Sequence, residues 1–303
     1  MDMRSDHREH IFIGPILYKN IFGEGFLEKF WQLLKVAVVV PIYRNPTLLE
    51  QASLACLRRV LGHYPIYFAC PKSLSIPWRW ATFKKFSNEF FTSARTYAAL
   101  MVSPAFYQAF DGFDYILIYQ LDCMVFRDEL AFWCDKKYDY VAPPFLHQYP
   151  GRWPASDCVG FGGFSLRKVK ACLEPLAQLE RFPEGRRLLD LRMKKNGAED
   201  VFWGVTAARI WPDRVVSSVQ DAAHFGFDGD PRPFVKKYGE IVPFGYHHCW
   251  NFRALYYFWP HLPFRGFARI GWLTLMVSCL AWQSIRIGLS SYIRRMTLVA
   301  SGR

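Results

Sequence analysis

Apolar residues in this chain gather into short continuous runs, separated by segments with helical spacing, and proline or glycine closes most of the runs. Val36-Ala-Val-Val-Val40 is apolar without alternation, which predicts a strand buried on both faces and stopped by Pro41-Ile-Tyr43-Arg44-Asn45-Pro46. Leu48 to Leu61 has helical spacing and ends at Gly62. Pro65 to Cys70 predicts a second strand, stopped by Pro71. Ser93 to Phe110 predicts a helix that Pro104 kinks or breaks. The run from Asp114 to Leu121 is β-branched and aromatic, reads as a buried strand, and hands over to Asp122.

Further along, Tyr138 to Ala142 predicts a short strand closed by Pro143-Pro144. Val159 to Leu166 is glycine-rich but strand-like, Arg167 to Leu179 resumes helical spacing, and Glu199 to Arg209 predicts a helix with an acidic start that suits the helix dipole. Strands alternating with helices predict an α/β domain on a mainly parallel sheet flanked by helices. The pattern divides the chain into an N-terminal extension (1–34), a central domain (35–250) and a basic, apolar tail (251–303). The tail run Ile270 to Trp282 is the most apolar stretch, with Arg265 and Arg269 before it and Arg286, Arg294 and Arg295 after it. A spanning helix needs about 20 apolar residues, and Gln283 and Arg286 interrupt this one early. It reads as an interfacial helix with tryptophans and arginines at its flanks, or as a core helix closing the domain.

Composition narrows the partner. Half the residues are hydrophobic, which is ample for a core, and the formal net charge of +12 favours an anionic ligand. No zinc-finger spacing, RNP-like signature or helix-turn-helix pattern accompanies that charge, which argues against nucleic acid. The basic residues are dispersed, with local pairs such as Arg186-Arg187 and Lys194-Lys195. The eight cysteines form no C-x-x-C, which argues against a structural zinc site. The polar amino terminus lacks a signal-peptide core, which predicts a cytoplasmic protein.

Four segments and a late histidine pair carry candidate chemistry. The loop Pro41, Tyr43, Arg44, Asn45 at the carboxyl end of the first strand is placed to wrap a base and ribose, with Arg44 reaching a phosphate; a plain strand-to-helix turn has the same composition. In Gln120-Leu-Asp122 one acid beside an amide can hold a divalent cation that keeps sites for phosphate oxygens, although an ordinary Asp turn reads the same way. The paired glycines of Gly160-Phe-Gly162-Gly163-Phe164-Ser165-Leu-Arg167 allow close approach of a ligand to the backbone, or mark a bulge; they do not fit a G-x-G-x-x-G fingerprint. The acids of Glu199-Asp200 are a base for a hydroxyl acceptor, or acids favoured at any helix start. Finally, Phe244-Gly245-Tyr-His247-His248 offers an imidazole to a metal, and the histidine pair strengthens that reading over a structural role.

The order of these segments resembles the plan of GT-A-fold glycosyltransferases. More closely it resembles a family of GT-A-like proteins with a Gln-x-Asp strand end, a Gly-Gly-Phe-Ser-Leu-Arg strand, a Glu-Asp-x-Phe helix start and a late Phe-Gly-x-His. The resemblance covers roughly residues 35–250. It implies a GT-A-like (Rossmann-like) fold and transfer of a sugar from a nucleotide-diphosphate donor to a hydroxyl acceptor, glycan or lipid-linked, with inversion. Pro41, Tyr43, Arg44, Asn45, Gln120 and Asp122 would then bind the donor, and Asp122 and His247 would hold a divalent Mn or Mg. Gly162, Gly163, Phe164 and Ser165 are similar to the acceptor side of the beta-1,4-galactosyltransferases. By the same resemblance Asp200 is the base and Glu199 orients the acceptor. GT-A enzymes carry Asp-x-Asp where this chain has Gln120-x-Asp122, so one acid of the pair is missing. A nucleotidyltransferase is the first rival, but it would want a glycine-rich phosphate loop after the first strand, and Pro41 to Pro46 contains no glycine. The second rival is a non-catalytic sugar- or membrane-binding protein. The tail's arginines and tryptophans predict peripheral contact with the inner face of a membrane.

Overall fold

The computed structural model describes residues 35–146, 158–179, 199–250 and 257–263, with isolated positions between 183 and 190 and between 271 and 281. The predicted extension 1–34, the pair Lys194-Lys195 and most of the tail lie outside the described residues. The central sheet is built from β1 (Val36–Pro41), β2 (Ile66–Pro71), β3 (Thr82–Phe86), β4 (Tyr115–Tyr119), and two later strands. Short strands β5 (Met124–Val125), β6 (Tyr140–Val141), β7 (Pro144–Phe145), β8 (Cys158–Val159), β9 (Phe164–Lys168), β10 (Gly226–Asp228) and β11 (Gly245–His247) follow. In the six-stranded sheet the order is β3-β2-β1-β4-β9-β6, parallel from β3 to β4, with β9 antiparallel to both neighbours. The fold is therefore α/β with a mainly parallel sheet flanked by helices.

The apolar runs follow from this topology. In β1, Val36, Val38 and Val40 enter one core cluster while Ala37 and Val39 enter the other, so both faces are covered and no polar position interrupts the run. The helix Leu48–Leu61 is started by a capping box between Thr47 and Glu50. Pro104 divides the predicted 93–110 helix into Ala94–Met101 and Pro104–Gln108, the second opened by Ser103 as its cap. Chain order places β1 beside both β2 and β4, so the connections diverge on either side of the gap between β1 and β4. In open α/β sheets, ligands bind outside the carboxyl ends of the strands at such a switch point.

Several predicted boundaries move. The strand expected over 114–121 stops at Tyr119, and Gln120 to Cys123 form a turn closed by the Cys123 amide donating to the Gln120 carbonyl (3.0 Å). The strand expected over 159–166 is two strands, β8 against β7 and β9 in the central sheet; Phe161, at φ 33°, turns the chain between them. Arg167 belongs to β9 and not to the following helix, which starts at Val169, because its guanidinium is fully buried among polar partners. The 199–209 helix contains a π-helical turn, Phe202–Thr206, at Gly204. A side chain at Gly204 would meet the Val159 carbonyl carbon at 2.9 Å, so the wide turn and the glycine together let this segment lie against β8.

A second sheet, β10-β11-β5, stands beside the first. Residues 257–263 pack onto it: Phe258 is buried against Phe126, Phe227 and Tyr246, so the core continues beyond Trp250. Among the described residues no helix is long and apolar enough to cross a membrane.

Candidate active site and cation centre

Two turns at the switch point carry the candidate donor residues to one place. Pro41 ends β1 and Tyr43 and Arg44 follow it, Gln120 and Asp122 follow β4, and all five line a cavity of about 1120 Å³. Asn45 does not line it; its carbonyl accepts from Arg44 Nη1 at 3.1 Å. Arg44 itself is held by Glu50, with Nη1 and Nη2 donating to the two carboxylate oxygens at 2.7 and 2.9 Å. The guanidinium expected to meet a phosphate is thus already paired within the capping turn. Tyr97 and Trp250 also line the cavity, and the Tyr97 hydroxyl is buried beside Gln120.

Asp122 has a second role at the cavity wall. Its Oδ1 lies 3.3 Å from His247 Nε2 and its Oδ2 lies 3.6 Å from His248 Nε2. The three ligand atoms all lie within 4.8 Å of one another, which suits a single bound cation. Behind them stands the buried Asp228. One oxygen pairs with His247 Nδ1, and the other lies 3.0 Å from His248 Nδ1. A carboxylate on Nδ1 fixes ring orientation and turns Nε2 toward the metal position. The amide oxygen of Gln120 is 3.0 Å from His247 Nε2, at the edge of the same cluster.

Charge in the cluster points the same way. Burial alone would pull the His247 pKa down, but the carboxylates of Asp228 and Asp122 outweigh it and push it up to about 10. Burial would raise both carboxylates, yet the facing imidazoles hold Asp122 and Asp228 below the usual range. One buried and one half-buried acid, Asp228 and Asp122, therefore demand positive charge at this spot. A proton on His247 supplies it, and a divalent cation would displace that proton. The donor set of one carboxylate and two imidazoles fits a divalent transition ion.

The sequence contained a signal for Asp228 that the reading of single motifs missed. Phe225-Gly226-Phe227-Asp228 and Phe244-Gly245-Tyr246-His247 have the same pattern, and β10 and β11 pair in parallel with Gly226 opposite Gly245, Phe227 opposite Tyr246 and Asp228 opposite His247. Phe227 and Tyr246 stack at 5.1 Å and 8°. Phe225 and Phe244 clasp the Phe164 ring, at 5.0 and 5.4 Å between centroids.

The acid pair lies on the other side of Gly162-Gly163. Glu199 is buried and faces the fully buried Arg167, whose Nη2 is 3.2 Å from its Oε1; Arg167 Nε also donates to Ser165 Oγ (3.0 Å) and Nη1 to the Tyr107 hydroxyl (3.0 Å). Burial raises the Glu199 pKa to about 7, with Arg167 opposing and Asp200 adding. Asp200 is less covered, and its Oδ1 accepts from the Val201 amide at 2.8 Å. Burial raises its pKa too, against the pull of that amide and of Arg167. Arg167 thus positions Glu199, a role the sequence reading had not given it.

Phe164 and Ser165, expected on the acceptor side, correct that expectation. Their side chains are fully buried, Phe164 in the aromatic cluster and Ser165 donating to the Gly162 carbonyl at 2.8 Å, because β9 is covered on both faces. Gly162 and Gly163 remain at the junction: a side chain at 163 would overlap the His247 ring, and one at 162 would overlap Glu199.

The fold and this site define an α/β protein with a carboxylate–histidine cluster that could hold a cation, beside a large cavity at the switch point. Residues 81–247, more than half of the 303-residue chain, match the family described as "Protein of unknown function (DUF5672)", and the chain belongs to that family. No curated protein sequence matches it. Among solved structures it is similar to the galactosyltransferase LgtC, solved with donor and acceptor sugar analogues, at 12% identity and a TM-score of 0.46 over 80% of this chain and 95% of that one. It is also similar to the glycosyltransferase GlyE of Streptococcus pneumoniae TIGR4, at 15% identity and a TM-score of 0.43 over 82% of this chain and 64% of that one. A glycosyltransferase involved in glycosylation of the major capsid of PBCV-1 is similar at 10% identity and a TM-score of 0.42, over 73% and 95%. At these values the chemistry has to be argued from this chain's own residues.

Proposed function

We propose that this protein is a metal-dependent glycosyltransferase that moves a sugar from a nucleotide-diphosphate donor to a hydroxyl acceptor. The observation that carries the reading is Asp122. It lines the cavity at the switch point and at the same time closes the cluster with His247 and His248. A donor seated in the cavity would present its diphosphate to that cluster. The bound ion, held by Asp122 and the histidines, would neutralise charge on the departing diphosphate. Asp200 would take the proton of the acceptor hydroxyl as its oxygen bonds the anomeric carbon, while the bond to the diphosphate breaks with its electron pair on the diphosphate oxygen. One carboxylate base, with its neighbour Glu199 tied to Arg167, supports inversion.

The test is the apo protein with Mn²⁺ and a panel of nucleotide sugars, read by thermal shift and by release of nucleoside diphosphate. At about 100 times Kd a ligand adds about 2.7 kcal/mol of stability, so one donor is expected to raise the melting temperature by several degrees and to be slowly hydrolysed. Pyrophosphate release from a nucleoside triphosphate and a sugar 1-phosphate would instead make the protein a nucleotidyltransferase. A shift with no turnover for any donor–acceptor pair would leave a binding protein.

We further propose a lipid-linked acceptor met at a membrane surface. Tyr43 and Leu48 line the cavity although each is more than half exposed, and Val277, also exposed, precedes Ser278, a tail residue that lines it too. An apolar rim flanked in sequence by the tail arginines fits peripheral attachment to an anionic leaflet on the cytoplasmic side, where each basic side chain contributes about 1 kcal/mol. Full-length protein should co-sediment with acidic liposomes at low salt, and a chain ending at Pro263 should not. Both remaining in the supernatant would remove the membrane role.

A further inference from the structure

We propose that His248 is the third protein ligand of the cation, standing in for the acid missing at Gln120, and that the resulting two-imidazole set makes the site select nitrogen-accepting transition ions over Mg²⁺. The inference rests on the reading of this cluster as the cation centre of a donor site, and concerns which ion it takes.

Consecutive residues of a strand send their side chains to opposite faces. His247 ends β11, so an extended His248 would point away from it. Instead His248 adopts φ 55°, and its ring folds back beside His247 with the centroids 4.0 Å apart. The left-handed region is uncommon for residues other than glycine, though histidine, asparagine and aspartate enter it several times more often than most. The reversal has a visible consequence. Both Nδ1 atoms face the one carboxylate of Asp228, and both Nε2 atoms face the one carboxylate of Asp122, each toward a different oxygen. Adjacent ligands of one ion at about 2.1 Å stand roughly 3 Å apart, and the two Nε2-to-oxygen separations here are 3.3 and 3.6 Å. Small shifts would complete the sphere. Unlike His247, His248 is substantially exposed, its side chain at 59%, so it forms the solvent side of the cluster.

Replacing a carboxylate by an imidazole changes what the site prefers. An acid pair offers hard oxygens and two negative charges, which suits Mg²⁺ as well as Mn²⁺. Two imidazoles and one carboxylate offer nitrogen and a single ligand charge. Mg²⁺ binds through oxygen and dehydrates reluctantly, whereas imidazole suits first-row transition ions.

The experiment is direct ion binding to the full chain stripped by chelator, with no donor present. Loss of the free Mn²⁺ signal in electron paramagnetic resonance gives affinity and stoichiometry, and Mg²⁺ or Zn²⁺ is then added as competitor. One Mn²⁺ per chain is expected, displaced by Zn²⁺ but not by a hundredfold excess of Mg²⁺. His248→Asn keeps a residue that tolerates the left-handed backbone and removes the imidazole; it should weaken Mn²⁺ at least tenfold and leave Mg²⁺ binding unchanged. His248→Asp, which restores an oxygen ligand on the same backbone, should narrow the Mn²⁺/Mg²⁺ ratio. Unchanged Mn²⁺ affinity in a folded His248→Asn, or easy displacement by Mg²⁺, would overturn the proposal. Mn²⁺ held through His248 with no response to any nucleotide sugar would overturn the proposed function alone. A nucleotide-sugar response as strong in Mg²⁺ as in Mn²⁺ would do the reverse.

Discussion

Replacing Asp200 with asparagine is expected to lower turnover by about 10²–10⁴-fold while donor binding and Mn²⁺ binding stay near their original values. The amide keeps the shape of the side chain, and its oxygen can still accept from the Val201 amide, so the start of the helix survives. What disappears is the proton acceptor. Burial already raises the Asp200 pKa, which makes the carboxylate a stronger base. The Asp122–His247–His248 cluster lies beyond Gly162-Gly163 and has its own orienting acid in Asp228, so it should not register the change. Steady-state kinetics with isothermal titration of the donor separates the outcomes. Equal loss of donor affinity would make Asp200 a donor or metal contact, and near-normal turnover would leave it an acid placed only for the helix dipole. Glu199→Gln is the comparison: it disturbs the buried Arg167 network, and a loss there should appear in thermal stability as well as in rate.

How much of this was legible in the sequence depends on the distance over which each feature is specified. The strands β1, β2 and β4 were visible because strands covered on both faces need uninterrupted apolar residues, and the Pro104 break was visible because proline has no amide to donate. Both are local facts. β3 was not visible: Lys84 and Lys85 sit inside Thr82–Phe86, as befits an edge strand that must not pair with another chain. The second sheet consists of strands of two or three residues, too short for any period to emerge. Its register is nonetheless what makes the site, since it sets Asp228 opposite His247. Asp122, His247, Glu199 and Asp200 could be singled out as types in an order; only the resemblance joined the first two at one ion, and they stand 3.3 Å apart. His248 was visible only as a neighbour, because its contribution depends on a backbone angle. Arg167 was read as the first residue of a helix, since nothing local announces that a charged residue will be buried against an acid 32 positions away.

Alanine at Gly163 should damage the Asp122–His247–His248 cluster, and alanine at Gly162, one residue earlier, should damage the acid pair. At 163 the new methyl would overlap Nε2 and Cε1 of His247 and reach within 2.7 Å of Cδ2. That ring cannot swing clear, because Asp228 holds its Nδ1 and the residue is buried. The expected result is a loss of about 10–100-fold in Mn²⁺ affinity, the range seen when ligand orientation is disturbed, together with about 1–3 kcal/mol of overpacking. At 162 the methyl would overlap Glu199 Oε1 and approach Arg167 Nη2 at 2.9 Å and Asp200 Cβ at 3.2 Å. Here the ion should bind normally, turnover should fall, and stability should drop through the buried ion pair. Mn²⁺ titration, denaturant melts and turnover on the two variants give the comparison. Identical phenotypes would mean that the glycines serve only the turn between β8 and β9. Opposite phenotypes would establish that this backbone runs between two separately built halves of one site, each filled to van der Waals contact from its own side.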